Sequence, residues 1–131
     1  MDGQWSQWHP ITSKENPASK AGKGVYRVRA TRSLGVPVEI QRACDADADG
    51  IVYIGQGRLR DRIGALLDRD DHGGTHELIG TFDDYQLKRL CKRKHLEVQW
   101  LETLEPAERE WQLIEEYKKR TGDIPPGNLK H

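Results

Sequence analysis

The sequence predicts an α+β fold, a small central and mostly antiparallel β-sheet flanked by helices, on three observations. Three extended runs fall in the first half, "GVYRVRATR" from Gly24, "PVEIQRAC" from Pro37 and "IVYIG" from Ile51. The hydrophobic period changes to the helical one after Leu59. Strands and helices do not alternate in the way that builds a parallel sheet.

Residues 1–23 are polar and carry Trp5, Trp8, Pro10 and Pro17. Because free indoles are rarely left in water, this segment is expected to be a strap whose tryptophans dock on the core, leaving residues 24–131 as the domain proper. The first strand alternates Val25 and Arg27 with Tyr26 and Val28; the second is the run from Pro37; "DADADG" then turns the chain into the third. Leu59, Ile63, Leu66 and Leu67 repeat at helical spacing, and "DRDDHGGTHELIG" reads as a loop by its aspartates and glycines. A second helix is expected over residues 84–94, burying Leu87, Leu90 and Cys91 and turning Lys88, Arg89, Lys92 and Arg93 to solvent. "HLEVQWLET" alternates Leu96, Val98 and Trp100 as a further strand. The last helix has Pro106 in its first turn and stops at Gly122.

At 131 residues the chain has room for one domain, large enough to bury a core without a metal or disulfide staple. Its two cysteines, Cys44 and Cys91, lie far apart with no apolar signal segment ahead of them, so a reduced, cytoplasmic protein is expected. No apolar run approaches the ~20 residues needed to cross a bilayer. Lysine plus arginine equals aspartate plus glutamate, 21 each. The distribution is uneven: Lys20, Lys23, Arg27, Arg29, Arg32 and Arg42 face Glu39 alone, and a second basic run spans residues 88–94. Such asymmetry gives either a basic face able to meet phosphates or solvated faces of compensating charge.

Chemistry concentrates on the last helix. At about 100° per residue, Ala107, Trp111, Ile114 and Tyr117 share one face, with Leu113 at its edge and Glu110 in its middle. Glu108, Gln112, Glu115 and Glu116 fall on the wet side. A carboxylate on an apolar face must be paired, protonated or bound to a cation. A Glu–Arg pair is the commoner solution; a metal ligand is the alternative. Arg60 and Arg62 flank the buried face of the first helix, and Tyr26 and Tyr53 sit inside strands. Two phenols, a flank arginine and an inward glutamate are the parts that phosphodiester hydrolysis needs. Two further patterns are decoys. "DADADG" mimics the start of a calcium loop but places Gln56 where a bidentate carboxylate is required, and the glycines between His72 and His76 break the helix that a zinc pair at that spacing would need.

The order of "GVY" at residues 24–26, "VYIG" at residues 52–55, "LRDRI" and the helix "EREWQLIEEYKKRTGDIPPGN" resembles the GIY-YIG endonuclease superfamily over residues 24–128. The resemblance implies a GIY-YIG nuclease-like α/β sandwich and gives roles to five residues. Tyr26 would serve as general base or in the hydrogen-bond path to the attacking water, a role for which a phenol of ordinary pKa ~10 needs a cation beside it. Tyr53 would hydrogen-bond the scissile phosphate or the water. Arg62 would stabilise the charge of the pentacovalent transition state. Glu110 would be the sole protein ligand of Mg²⁺ or Mn²⁺, and Asn128 would brace the site. Gln56, Arg58, Arg60, Lys88, Lys92 and Arg93 are the expected nucleic-acid contacts. The function so implied is a metal-dependent endonuclease, cutting DNA or RNA by a single-metal mechanism with no membrane partner. The competing function is a nucleic-acid-binding or assembly module that keeps the fold without cutting. The twenty residues of "TRSLGVPVEIQRACDADADG" between the two tyrosine strands imply an enlarged hairpin or an added strand.

Overall fold

In the computed structural model, which describes residues 3–33, 35–67, 78 and 85–128, one long strand runs through the middle of the sheet. This is β2, Lys23–Ser33, preceded by a two-residue β1, His9–Pro10. There follow β3 (Val36–Pro37), β4 (Ile51–Arg58), α1 (Leu59–Leu66), α2 (Tyr85–Lys88), β5 (Leu96–Glu102) and α3 (Pro106–Thr121). All pairings are antiparallel. β5 lies on one side of β2 with β1 beyond it, while β4 and the short β3 share the other side. The α+β class with a flanked antiparallel sheet is thus the observed one.

The period-two pattern of β2 separates two faces. Tyr26, Val28 and Ala30, with Tyr53, Leu96 and Val98, form one core against Leu59, Ile63 and Leu66 of α1 and the buried Leu78 and Leu87. On the other face Ile51 and Ile54 pack on Ile114 and Tyr117 of α3, with Trp8, Leu113 and Ile124 at the margin. The N-terminal segment crosses this second face. Gly3 and Ser6 donate backbone bonds to the carbonyls of Glu102 and Trp100 at 2.9 and 2.8 Å, and Ile11 donates to Leu96 at 3.1 Å. Its indoles lie on cations: Arg27 is 4.3 Å from the Trp5 ring and Arg29 is 4.2 Å from the Trp8 ring. Beneath them Arg27 Nε donates to Gln99 at 2.6 Å, and Arg29 pairs with the buried Glu97 at 2.7 Å. A buried carboxylate needs such a partner, and both partners are held in place by the strap above. β5 is therefore covered on both faces, although alternation alone would leave Glu97 and Gln99 wet.

The insertion between the tyrosine strands differs from a full second strand. Val36–Pro37 pairs with β2, the Val38 N–H donates once more to the Ala30 carbonyl at 2.9 Å, and Ile40 then makes a single bridge to Asp47. Pro37 has no N–H to extend the ladder, and Arg42 is drawn away to the Ile124 carbonyl at 2.5 Å and to Asp123 at 3.2 Å. The acidic turn that follows has a structural use. Asp47 has no exposed surface; one carboxylate oxygen accepts from the Asp49 N–H and the other from the Ile51 N–H, both at 2.9 Å. Arg120 stands 3.6 Å away. This carboxylate caps the start of β4.

Two helices depart from expectation. In place of a helix over residues 84–94, α2 ends at Lys88 and a 3-10 turn covers Arg93–His95. Lys92 is extended there, which lets the His95 carbonyl accept the Thr31 hydroxyl at 2.5 Å and delivers Leu96 to the sheet. On α3 the buried residues are Ile114, Tyr117 and Thr121, whereas Ala107 and Trp111 are exposed. The first turns of the helix overhang the end of the apolar contact, so the stripe that faces the sheet runs Glu110, Ile114, Tyr117, Thr121, with Glu110 half-buried at its open end. Gly122 ends the helix in a left-handed conformation, φ 87°. The region of "DRDDHGGTHELIG", apart from the buried Leu78, lies outside the described residues, and His72 and His76 with it. Among the described residues no helix is long and apolar enough to cross a membrane.

Two stability outcomes are expected. Asp47→Ala strands two backbone donors and one guanidinium, and should cost about 3 kcal/mol of unfolding free energy in urea. Burial pushes the Cys91 thiol from 9.0 up to about 11, against a backbone hydrogen bond at Thr31 that lowers it. The native state then holds this proton more tightly than the unfolded chain, so its contribution is complete below pH 9 and is lost as pH rises towards 11. Over that window wild type should lose more thermal stability than Cys91→Ala.

Candidate active site

Tyr26 stands in β2 directly opposite Gly55 of β4. A β-carbon built on Gly55 would lie 2.5 Å from the Tyr26 hydroxyl oxygen, so only glycine lets the phenol ring pass across the strand. Tyr53, two residues earlier on the same face, brings its ring centroid to 5.9 Å from that of Tyr26, tilted by 32°. The helix α1 follows β4 without a loop, its first N–H donating to the Gly22 carbonyl at 3.0 Å. Gly57, at φ 137°, makes that junction, and the Arg62 stem passes 3.2 Å from where its β-carbon would be. Arg62 then reaches back so that its guanidinium is in hydrogen-bonding contact with both phenols, and Tyr53 makes a further contact with Tyr26.

The last turn of the chain holds this strand from outside. The Asn128 carboxamide makes two bonds to one residue: its oxygen accepts the Ile54 N–H at 3.0 Å and its nitrogen donates to the Ile54 carbonyl at 2.9 Å. Gly127 donates to the Val52 carbonyl at 2.6 Å. Tyr53 is thereby fixed between two clamped neighbours. β4 carries one residue more than β2 here, since Val28 faces Tyr53 while Arg29 faces Ile51.

Charge in the cluster is settled by burial. Tyr26 is completely buried, and this raises its pKa; Arg62 and the contact with Tyr53 work against the rise, and the carboxylate of Glu110 adds to it. The phenol therefore keeps its proton at neutral pH. Burial opposes the charge on Arg62, but the two phenols outweigh it and hold the guanidinium above its usual range. Tyr53 is also buried, while Arg62 and Glu110 are half-buried. Arg62 is thus a permanent cation with the two phenols as its supports.

The structure brings Tyr26, Tyr53 and Arg62 into contact, sets Glu110 close enough to act on Tyr26, and places Asn128 against the residue after Tyr53. Gln56 is half-buried at the exit of β4; Arg58 and Arg60 are exposed beyond it, 3.9 and 3.5 Å from Asp61. Lys88, Lys92 and Arg93 are elsewhere. Arg58 pairs with Lys23 at the start of β2, whereas the turn of Arg93 is tied to Thr31, roughly 27 Å along the strand at ~3.4 Å per residue. These two basic groups do not form one patch. Sequence reasoning missed the Asp47, Tyr117 and Arg120 cluster on the opposite face, where burial, with Asp47 adding to it, pushes the Tyr117 phenol strongly up. The signal was present: an aspartate two and four residues before backbone donors at a turn is a side-chain cap.

Among the described residues no three or more His, Cys, Asp or Glu side chains gather as a metal cage. Glu110 alone suits a small hard cation that keeps most of its waters, which is the kind of ion a single carboxylate holds. Three clefts among the described residues, of about 580, 350 and 430 Å³, lie beside Trp100, Arg27 and Arg42, and none of them is lined by Tyr26, Tyr53 or Arg62. What the fold and site define together is a small α+β domain with a phenol–guanidinium–carboxylate cluster open at its surface. In comparison with known proteins, no family model, no curated protein and no solved structure matches the chain.

Gly55→Ala should destabilise the protein by about 1–3 kcal/mol through overpacking against Tyr26. In a Tyr26→Leu background the same change should cost clearly less, and a double-mutant cycle of urea midpoints measures that coupling.

Proposed function

We propose that this chain is a metal-dependent nuclease of the GIY-YIG type, hydrolysing phosphodiester bonds of DNA. The observation that carries the reading is the guanidinium of Arg62 held by two buried phenols, with the carboxylate of Glu110 within electrostatic range of Tyr26. Arg62 is the donor fork for the phosphate. Its charge is permanent at neutral pH, its geometry is set in advance by Tyr26 and Tyr53, and a guanidinium has five N–H donors, enough to serve supports and ligand together. Donors organised in advance where negative charge grows are the largest single contribution to such reactions. Glu110 would hold Mg²⁺ or Mn²⁺, which supplies Lewis-acid polarisation of the phosphate and a lowered pKa for bound water.

Tyr26 and Tyr53 act through Arg62 as the fold stands. Tyr26 retains its proton at neutral pH, and taking a proton from water would require it to be uncovered and its phenol brought down in pKa. Asn128 keeps Tyr53 in place by fixing Ile54. Arg58 and Arg60, exposed at the start of α1, would meet the phosphates on either side of the cut.

The test is cleavage of a panel of plasmid, branched and single-stranded DNA with Mg²⁺ or Mn²⁺. Wild type should cut at least one of these, and folded Glu110→Ala and Arg62→Ala proteins should each lose on the order of 10²-fold or more. Wild type that binds DNA and cuts none of it would overturn the nuclease in favour of a non-cleaving nucleic-acid module.

A further inference from the structure

We propose that the cleft between α3 and the sheet, lined by Arg27 and Arg120, is a binding site for a nucleoside monophosphate. It is separate from the nuclease reading, and none of its residues belongs to the phenol cluster.

Arg27 and Arg29 are two residues apart on one face of β2, yet the fold provides for them differently. Arg29 pairs with the buried carboxylate of Glu97 at 2.7 Å. Arg27 has only a neutral amide, Gln99, at 2.6 Å from its Nε, and the ring of Trp5 at 4.3 Å from the centre of its guanidinium. Among the described residues no carboxylate lies at ion-pair distance from Arg27, and its Nη groups have no acceptor. Burial pulls its pKa below the usual arginine range; Arg29 and Arg120 add to that, while Asp49 and Asp47 oppose it. A guanidinium does not give up its proton in a protein, so the fold holds a half-buried cation beside a cleft of about 350 Å³. Such a charge, partly out of water and without a counterion, is unfavourable until an anion meets it.

Arg120 brings a second guanidinium to the same cleft. It stands 3.6 Å from Asp47, but that carboxylate already accepts two backbone N–H groups, and five donors leave Arg120 some to spare. Arg27 and Arg120 are near enough to repel one another, and an oxyanion between them turns repulsion into attraction. Two planar forks match the oxygens of a phosphate.

The rest of the lining suits the rest of a nucleotide. Asp49 and Glu116 are exposed carboxylates, in no ion pair among the described residues, and can accept ribose hydroxyls as an acidic residue does in dinucleotide-binding folds. Ile54 and Leu113 give an apolar wall for the base. The same two carboxylates repel the further phosphates of a polynucleotide, so the ligand is a mononucleotide and not a strand. The volume lies at the lower end of the ~300–1,000 Å³ of small-molecule sites.

The experiment is calorimetric titration of the full-length protein with adenosine monophosphate, adenosine and inorganic phosphate, without divalent ion. The expected result is saturable binding of the nucleotide with Kd below ~1 mM, and binding of adenosine and of phosphate weaker by about tenfold or more. Arg27→Lys keeps the charge without the fork, and Arg120→Gln removes the second cation; each should lose about tenfold for the nucleotide. Arg120 is exposed, so its variant keeps the test open should Arg27→Lys not fold. Arg62→Ala should bind the nucleotide as wild type does. Absence of saturable nucleotide binding, or binding unchanged in the folded Arg27 and Arg120 variants, would overturn the site. Inorganic phosphate bound as tightly as the nucleotide would overturn the nucleoside part of the ligand. Loss of binding in Arg62→Ala alone would move the phosphate to the phenol cluster and overturn the cleft. DNA cleavage is measured apart from all of these, so the site and the nuclease reading can fail independently.

Discussion

Among the described residues the outer edge of β4 has no strand to pair with, and its backbone groups must find partners elsewhere or bear the cost of burial without them. The chain meets this constraint with three side-chain or turn contacts instead of a further strand. Asp47 accepts the Ile51 N–H, Gly127 donates to the Val52 carbonyl, and Asn128 satisfies both backbone groups of Ile54. Because Tyr53 lies within this clamped stretch and α1 begins where β4 ends, the position of the phenols and of Arg62 follows from how that edge is closed.

Electrostatics divides between the two faces of the same sheet. On one, Arg62 meets two neutral phenols; on the other, which α3 covers with Glu110 at its open end, Asp47 is fully buried with Tyr117 and Arg120 around it. The second cluster is complete in itself, with its carboxylate consumed by two backbone donors and a cation. The first keeps a half-buried guanidinium against two phenols, a perturbed group of the kind that marks a candidate active site.

The strap shows how a near-neutral chain uses its cations. Arg27 and Arg29 belong to the basic stretch that sequence reading offers as a phosphate-binding face. In the fold they are covered by Trp5 and Trp8 and matched by Gln99 and Glu97. The basic run after α2 sits at the far end of β2 from Arg62. What remains exposed near the site, Arg58 and Arg60, is close to Asp61 and modest in net charge.

By itself the sequence determined the class of fold and the extents of β2, β4, β5, α1 and α3 to within a few residues, and it singled out Tyr26, Tyr53 and Arg62, which the fold brings into contact. Those features are written in local periodicity, in a proline and a glycine at the ends of α3, and in motifs whose order survives in one dimension. Only the tertiary structure decided the rest. It turned the run from Pro37 into a capped loop, cut the helix near Lys88 short, buried Glu97 and Gln99 under the strap, and left Trp111 in water at the overhanging start of α3. The physical reason is common to all four: whether a residue is covered depends on which distant segment arrives above it, and neither periodicity nor propensity along the chain carries that information.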